Sequence, residues 1–512
     1  MREWGIRESM RDNMLYRMLL SSLLTSTMSL RCLIGLLFVT SPTMIKSQQP
    51  GTTNIAHEEE EMSSTSPNRI WRFPLERISG TLHVNVWLGH PPVAQTWIVD
   101  TGSRFTATTC DRICPHCAGN DHAHAPFPGT TTHQLVECGH CQMAQQCTPL
   151  VLPRDQEDML LPNNRHTAAA LHHHEAVLTS SNLHCQFRQR YTEGSSWTAW
   201  EINEIVAVHG VEFSSESNNS GLANDENDSP ISSNRDIAWD MSVPLAMGCQ
   251  TEIKGLFREQ FADGILGLEK SDYNLVSVMH QQGLIPRAAF RLCVHPQGAW
   301  MLMGHGNNDT AVTLSRQIEQ STPAVGTNRS TIYQTAQSKL RYSPSPHSKW
   351  YNVLVEEVWM EDTQLVGPNR NAHVLHAFAQ GKRTILDSGT TDSFLPVALN
   401  PIWSVAWQDQ TGIDYRKRAY SYTYKEFLRL PTVTMIFQGN VTMVLHPKYY
   451  MDGVPLDTQN GDSVLVWPNK LHLYNRLYTD EPKGAVLGLN AMMGYEIEFD
   501  TNRVGIAPAD CL

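Results

Sequence analysis

Two short segments of this 512-residue chain are built alike. Trp97-Ile98-Val99 runs into Asp100-Thr101-Gly102-Ser103, and Thr384-Ile385-Leu386 runs into Asp387-Ser388-Gly389-Thr390-Thr391. Each apolar run suits a short buried strand. Each ends on an Asp followed by a hydroxyl residue and a glycine, which permits close backbone approach. Two such turns supply two carboxylates that can face each other. Close carboxylates cannot both ionise cheaply, so one proton is shared between them. A pair in that state offers a base and an acid side by side, enough to activate water without a metal.

The surroundings of the two turns repeat as well. Gly264-Ile265-Leu266-Gly267-Leu268 follows the first, and Ala485-Val486-Leu487-Gly488-Leu489 follows the second. Short β-branched and aromatic runs, at 82–87, 202–208 and 353–359, recur between Gly, Pro and Asn punctuation. Long amphipathic helical periods are scarce, so the expected fold is mostly β. A duplicated unit implies two similar lobes with one Asp each and a cleft between them. The expected boundaries are 70–304 for the first lobe, 305–345 for a polar linker and 346–512 for the second lobe. The first lobe carries a Cys/His-rich insert, 110–185, and a Ser/Asn/Asp/Glu loop, 214–235.

Residues 1–47 read as a signal peptide or an uncleaved signal anchor. Arg2, Arg7, Arg11 and Arg17 precede an apolar stretch at 18–30, and Arg31 separates it from a second at 32–39. Each stretch alone is shorter than the about 20 residues of a membrane span, so cleavage is the favoured reading. Membrane contact is expected only if this segment is retained. Residues 48–69, with Glu58 to Glu61 in a row, read as a flexible acidic lead-in. Ten cysteines beyond the leader form an even set, and five sequons lie at Asn218, Asn227, Asn308, Asn328 and Asn440. Both features point to the secretory pathway, with disulfides and glycans. A net charge of −12 and the lack of a basic stripe argue against a nucleic-acid partner. Cys114-Pro-His-Cys117 and Cys138-Gly-His-Cys141 have zinc-ribbon spacing, but further insert cysteines and the leader favour disulfides over metal. No metal or other cofactor is expected.

Taken in order, Asp100-Thr-Gly-Ser, Tyr191, Asp263-Gly-Ile-Leu-Gly-Leu, Asp387-Ser-Gly-Thr-Thr and the closing Asn502-Arg503-Val504-Gly505-Ile506-Ala507 resemble the pepsin-like aspartic proteases, from about Phe73 to Cys511. The Cys-rich insert, Cys110 ten residues after Asp100, Met247-Gly248-Cys249 and Tyr191-Thr192-Glu193-Gly194-Ser195 are similar to the nepenthesin and plasmepsin V branch. The resemblance implies a bilobal acid-protease fold and a monomeric aspartic endopeptidase whose partner is a polypeptide substrate. It implies Asp100 and Asp387 as the catalytic dyad. Ser103 and Thr390 would bond the outer carboxylate oxygens, Thr101 and Ser388 would brace the loops, and Gly102 and Gly389 would permit their approach.

Tyr191 would sit on a flap near 186–200, with Glu193 and Gly194 at its tip and Trp197 and Trp200 on the return strand. In plasmepsin V-like flaps a Glu contacts a substrate Arg, which implies a preference for a basic residue upstream of the scissile bond. The chain departs from the family at Ala107, where a Trp that bonds the flap Tyr is usual, and at Arg104, where a small residue is usual. Its acidic lead-in replaces a basic prosegment, and a C-terminal anchor like that of plasmepsin V is not expected. The competing expectation is a catalytically inactive pepsin-like binding or inhibitor protein of the secretory pathway, since a fold does not fix a function.

Overall fold

Alternating and β-branched runs become strands in the computed structural model. It describes residues 70–511 except 112–116, 118–120, 144–145, 150–182, 193, 209, 214–240, 305–338, 347, 416–418, 454–455, 458–463 and 466–468. The leader, the acidic lead-in, the loop at 214–235, Glu193 and the sequons at Asn218, Asn227, Asn308 and Asn328 therefore lie outside the described residues. Asn440 is exposed at the turn between strands Val433–Phe437 and Val441–Leu445.

The internal repeat is visible as strand register. Strand Val93–Asp100 pairs in parallel with Gly264–Gly267, placing Gly267 opposite Asp100. Strand Thr384–Leu386 pairs in parallel with Ala485–Leu487, placing Leu386 opposite Leu487. In each half the partner strand also pairs antiparallel with the strand that follows the Asp turn, Ala107–Thr109 in one and Ser393–Pro396 in the other. Both Asp residues thus leave the middle of a buried sheet. Trp97, Val99, Leu386 and Leu487 are almost fully shielded from solvent beneath them. Such apolar burial contributes about 1.5–3 kcal/mol per large side chain.

The two halves meet in one sheet. Phe290–His295 pairs antiparallel with Tyr495–Phe499, and Arg341–Pro344 pairs with Arg503–Pro508. Phe290 stacks on its cross-strand partner Phe499 at 4.9 Å, and Tyr351 meets Phe499 edge-on at 5.0 Å. Arg291 is buried in this sheet. Its Nε donates to Glu498 at 2.9 Å and its Nη1 donates to Glu496 at 3.0 Å. The disulfide Cys293–Cys511 fastens the end of the chain to the same strand.

The insert is held by cross-links and by buried carboxylates. Cys138 is bonded to Cys147, Cys141 to Cys185 and Cys110 to Cys249, and Cys117 is also disulfide-bonded. The sulfurs of Cys138 and Cys141 are therefore consumed, which removes the zinc-ribbon alternative. Glu201 accepts hydrogen bonds from the backbone of Gln142 and Met143. Glu204 accepts from the hydroxyls of Thr130 and Thr132, and Asp263 from the backbone of Thr96 and His124. All three carboxylates are buried, and each exchanges water for fixed donors. Among the described residues no helix is long and apolar enough to cross a membrane.

Withdrawing Arg291 removes a buried cation that bonds both Glu496 and Glu498. Arg291→Leu is expected to lower unfolding free energy by about 3–5 kcal/mol in urea titration; a midpoint equal to wild type would contradict a structural role for this pair.

Candidate active site

The two Asp turns are laced together by their own hydroxyl residues. Thr101 N donates to Ser388 Oγ at 3.1 Å, and Ser388 N donates to Thr101 Oγ1 at 2.9 Å. Thr101 Oγ1 donates to Leu386 O at 2.9 Å, and Ser388 Oγ donates to Val99 O at 2.7 Å. Each hydroxyl therefore crosses to the strand that delivers the opposite Asp. Both are fully buried, so these four bonds have no water competing for them.

The lacing sets the carboxylates against each other. Gly102 N donates to Asp100 Oδ1 at 2.8 Å, and Gly389 N donates to Asp387 Oδ1 at 3.1 Å. Ser103 Oγ donates to Asp100 Oδ2 at 2.5 Å, and Thr390 Oγ1 donates to Asp387 Oδ2 at 2.9 Å. A Cβ on Gly102 would stand 2.6 Å from the Asp387 carboxyl, and one on Gly389 would collide with the Asp100 carboxyl. Only glycine admits the opposing carboxylate at that range. Burial pushes the Asp100 carboxyl well above its ordinary range, the facing Asp387 charge adds to this, and the bonds from Ser103 and Gly102 oppose it. Asp100 is thus disposed to hold a proton beside the facing carboxyl.

Tyr191 connects the hairpin above to this centre. The hairpin closes through Tyr191 N to Ser195 O at 2.9 Å and Gly194 N to Tyr191 O at 3.1 Å, with Gly194 at φ +101°. The Tyr191 hydroxyl lies 2.9 Å from Ser103 Oγ and accepts a 3.4 Å bond from Trp197 Nε1. Ser103 has one hydroxyl hydrogen, and Asp100 takes it. Ser103 Oγ thus stands between Asp100 and Tyr191, completing a chain of contacts from Trp197 to the carboxylate. Ala107 is buried, with its methyl close to Gly248 and its backbone oxygen close to Gly264. Trp197 holds the Tyr191 hydroxyl instead, from a buried position beside Phe105 and Phe187. Phe257 lies under the Tyr191 ring at 5.0 Å.

A further carboxyl sits behind the first loop. Leu268 N donates to Asp100 O and Glu269 N donates to Ser103 O, at 2.8 and 2.9 Å, so Glu269 is tied to the dyad turn through the backbone. Its side chain is buried. Burial pushes its carboxyl up to about 7, against the opposing charges of Lys349 and Arg104. The unusual Arg104 thus faces an unusual acid. Sequence reasoning found Arg104 as a departure and missed Glu269, which gives no signal in a linear pattern.

The structure brings together Asp100, Thr101, Gly102, Ser103, Asp387, Ser388, Gly389, Thr390 and Tyr191, with Gly194 at the hairpin turn. Only Glu193 of the sequence candidates falls outside the described residues.

A family model described as xylanase inhibitor N-terminal matches residues 83–305, which include Asp100 and Tyr191 but not Asp387. Aspartic protease 5 of Toxoplasma gondii is 23% identical over 269 residues, covering 52% of this chain and 23% of that protein. The chain thus spans about a quarter of that relative's length. These similarities and the duplicated register make the fold mostly β, bilobal and pepsin-like.

A carboxyl with a raised folded pKa holds its proton more tightly when folded. The stability it confers is full below its ordinary value of 4.5 and is lost as pH rises through about 7. Glu269→Gln is expected to make the protein more stable than wild type at pH 8, by up to about 3 kcal/mol, with a much smaller difference at pH 4. An equal gap at both pH values in urea unfolding would remove Glu269 from this role.

Proposed function

We propose that the protein is an aspartic endopeptidase of the secretory pathway that acts on polypeptide substrates as a monomer without a cofactor. The observation that carries this reading is the mutual approach of the two carboxylates, each lying against the other loop's glycine. In the monoprotonated pair, the ionised carboxylate takes a proton from a water molecule lying between the two groups. That water attacks the peptide carbonyl carbon while the protonated carboxyl donates to the carbonyl oxygen. Proton transfer to the departing nitrogen then breaks the C–N bond and restores the pair. No covalent intermediate forms. Tyr191 and its hairpin cover the peptide and exclude bulk water. Four disulfides with described partners support an oxidising compartment.

Within the pepsin-like proteins, the Cys-rich insert and the hairpin sequence favour the nepenthesin and plasmepsin V branch. On that reading Glu193 pairs with a basic side chain upstream of the scissile bond. Glu193→Ala should then reduce cleavage of Arg-containing peptides far more than Arg-free ones; equal losses on both would sink the pairing.

A second reading has one observation in its favour. The family model that matches residues 83–305 is described by an inhibitor, so an inert pepsin-like binding protein is the alternative. Peptide-library hydrolysis across pH separates the two. The protease reading predicts a bell-shaped profile, limited at low pH by protonation of the base and at high pH by loss of the shared proton. It also predicts that Asp100→Asn and Asp387→Asn each lower kcat about a thousandfold or more. Wild-type protein that hydrolyses nothing at any pH would favour the inhibitor reading.

A further inference from the structure

Beside the Asp387 loop lies a cavity of about 580 Å³ lined by Arg77, Thr391, Asp392, Lys448, Asp452 and Arg476. We propose that it is a distal substrate subsite that selects an acidic side chain of the peptide, a reading that rests on the endopeptidase function above.

Position comes first. Thr391 follows Thr390, whose hydroxyl holds Asp387. Gly80, in the turn between strands Ile70–Ile78 and Thr81–Leu88, packs on Thr391 so closely that a Cβ there would meet the Thr391 methyl at 2.5 Å. The cavity wall is therefore continuous with the dyad loop on one side and with the first hairpin on the other. A peptide lying across the dyad in extended form advances about 3.3–3.6 Å per residue. On this proposal a residue of the peptide distal to the scissile bond reaches that wall.

Charge comes second. Three cationic side chains line the cavity against two carboxylates. Both carboxylates engage Arg476, Asp452 at 2.6 Å and Asp392 at 3.6 Å. Among the described residues, Arg77 and Lys448 form no ion pair. Arg77 donates to the backbone oxygen of Pro296 at 3.3 Å, and Lys448 lies over the Tyr449 ring at 4.7 Å. Burial lowers the pKa of the Arg77 guanidinium, with Asp452 opposing. A carboxylate entering the cavity would meet Arg77 and Lys448 without displacing an existing pair.

The preference should grow in acid. Burial pushes Asp392 up to about 6, with Arg476 opposing, Asp452 adding to it and Tyr478 bonded to it. Below that pH the cavity gains positive excess, while a peptide Glu stays ionised down to about 4.3.

The test is a positional peptide library with Glu, Gln or Lys at each site flanking the scissile bond, read as kcat/KM at pH 5 and pH 7. One distal position should favour Glu over Gln about fivefold, the scale of a partly exposed charge pair, with Lys disfavoured and a larger Glu advantage at pH 5. Arg77→Gln or Lys448→Gln should bring the Glu-to-Gln ratio towards one, and Arg77→Glu should invert the order. No Glu-selective position, or a ratio indifferent to these substitutions, overturns the subsite. The same peptides titrated against Asp387→Asn protein by fluorescence anisotropy keep the two readings apart. A Glu preference in binding, lost in Arg77→Glu, with no hydrolysis by wild type, sustains the subsite and overturns the endopeptidase.

Discussion

The hydroxyls of Thr101 and Ser388 fix the distance between the two Asp turns, and the site depends on that distance. Each hydroxyl bonds the backbone of the opposite half, at Leu386 and at Val99, and each receives a backbone N–H in return. A buried hydrogen bond contributes about 1 kcal/mol, so four of them can hold two like-charged groups together that would otherwise separate. The cost appears in protonation instead of geometry. Asp100 is pushed well above its ordinary range because it is buried and because Asp387 cannot retreat from it. The raised Asp100 carboxyl is therefore a property of the lacing, and the proposed acid and base roles rest on it.

Further out, the fold keeps the lacing in register. Parallel pairing of Gly267 with Asp100 and of Leu386 with Leu487 delivers both turns from the centres of buried sheets. The shared sheet that unites the halves carries Phe290 on Phe499 and Arg291 between Glu496 and Glu498. Buried charge of this kind is a poor source of stability but a strong constraint on register. Three carboxyls, Asp100, Glu269 and Asp392, are raised by burial. Each binds its proton more tightly in the folded state, so all three tilt the stability of the molecule towards acid conditions.

Much of the centre was legible in the sequence because its chemistry is contiguous. An Asp, its hydroxyl partner three residues on and the intervening glycine carry their geometry in one turn, and two copies announce the pairing. What was not legible depends on burial and on distant contacts. Ala107 read as a lost anchor for the hairpin, yet Trp197 supplies a donor from the return strand. Glu201 and Glu204 look like ordinary surface acids until the strands bury them against the insert. Local spacing suggested zinc at Cys138 and Cys141, but spacing does not say which sulfur approaches from elsewhere; Cys147 and Cys185 do. Residues 341–344, at the end of the polar stretch read as a linker, form a strand against Arg503–Pro508.

The central claim is that the two carboxylates act on one water molecule between them. A crystal structure with a non-cleavable peptide analogue bearing a hydroxyl in place of the scissile carbonyl tests it most directly. The account predicts that hydroxyl within about 2.6–3.2 Å of both Asp100 and Asp387, beneath Tyr191. An analogue bound with its hydroxyl remote from the pair, or touching one carboxylate while the other points away, would contradict it.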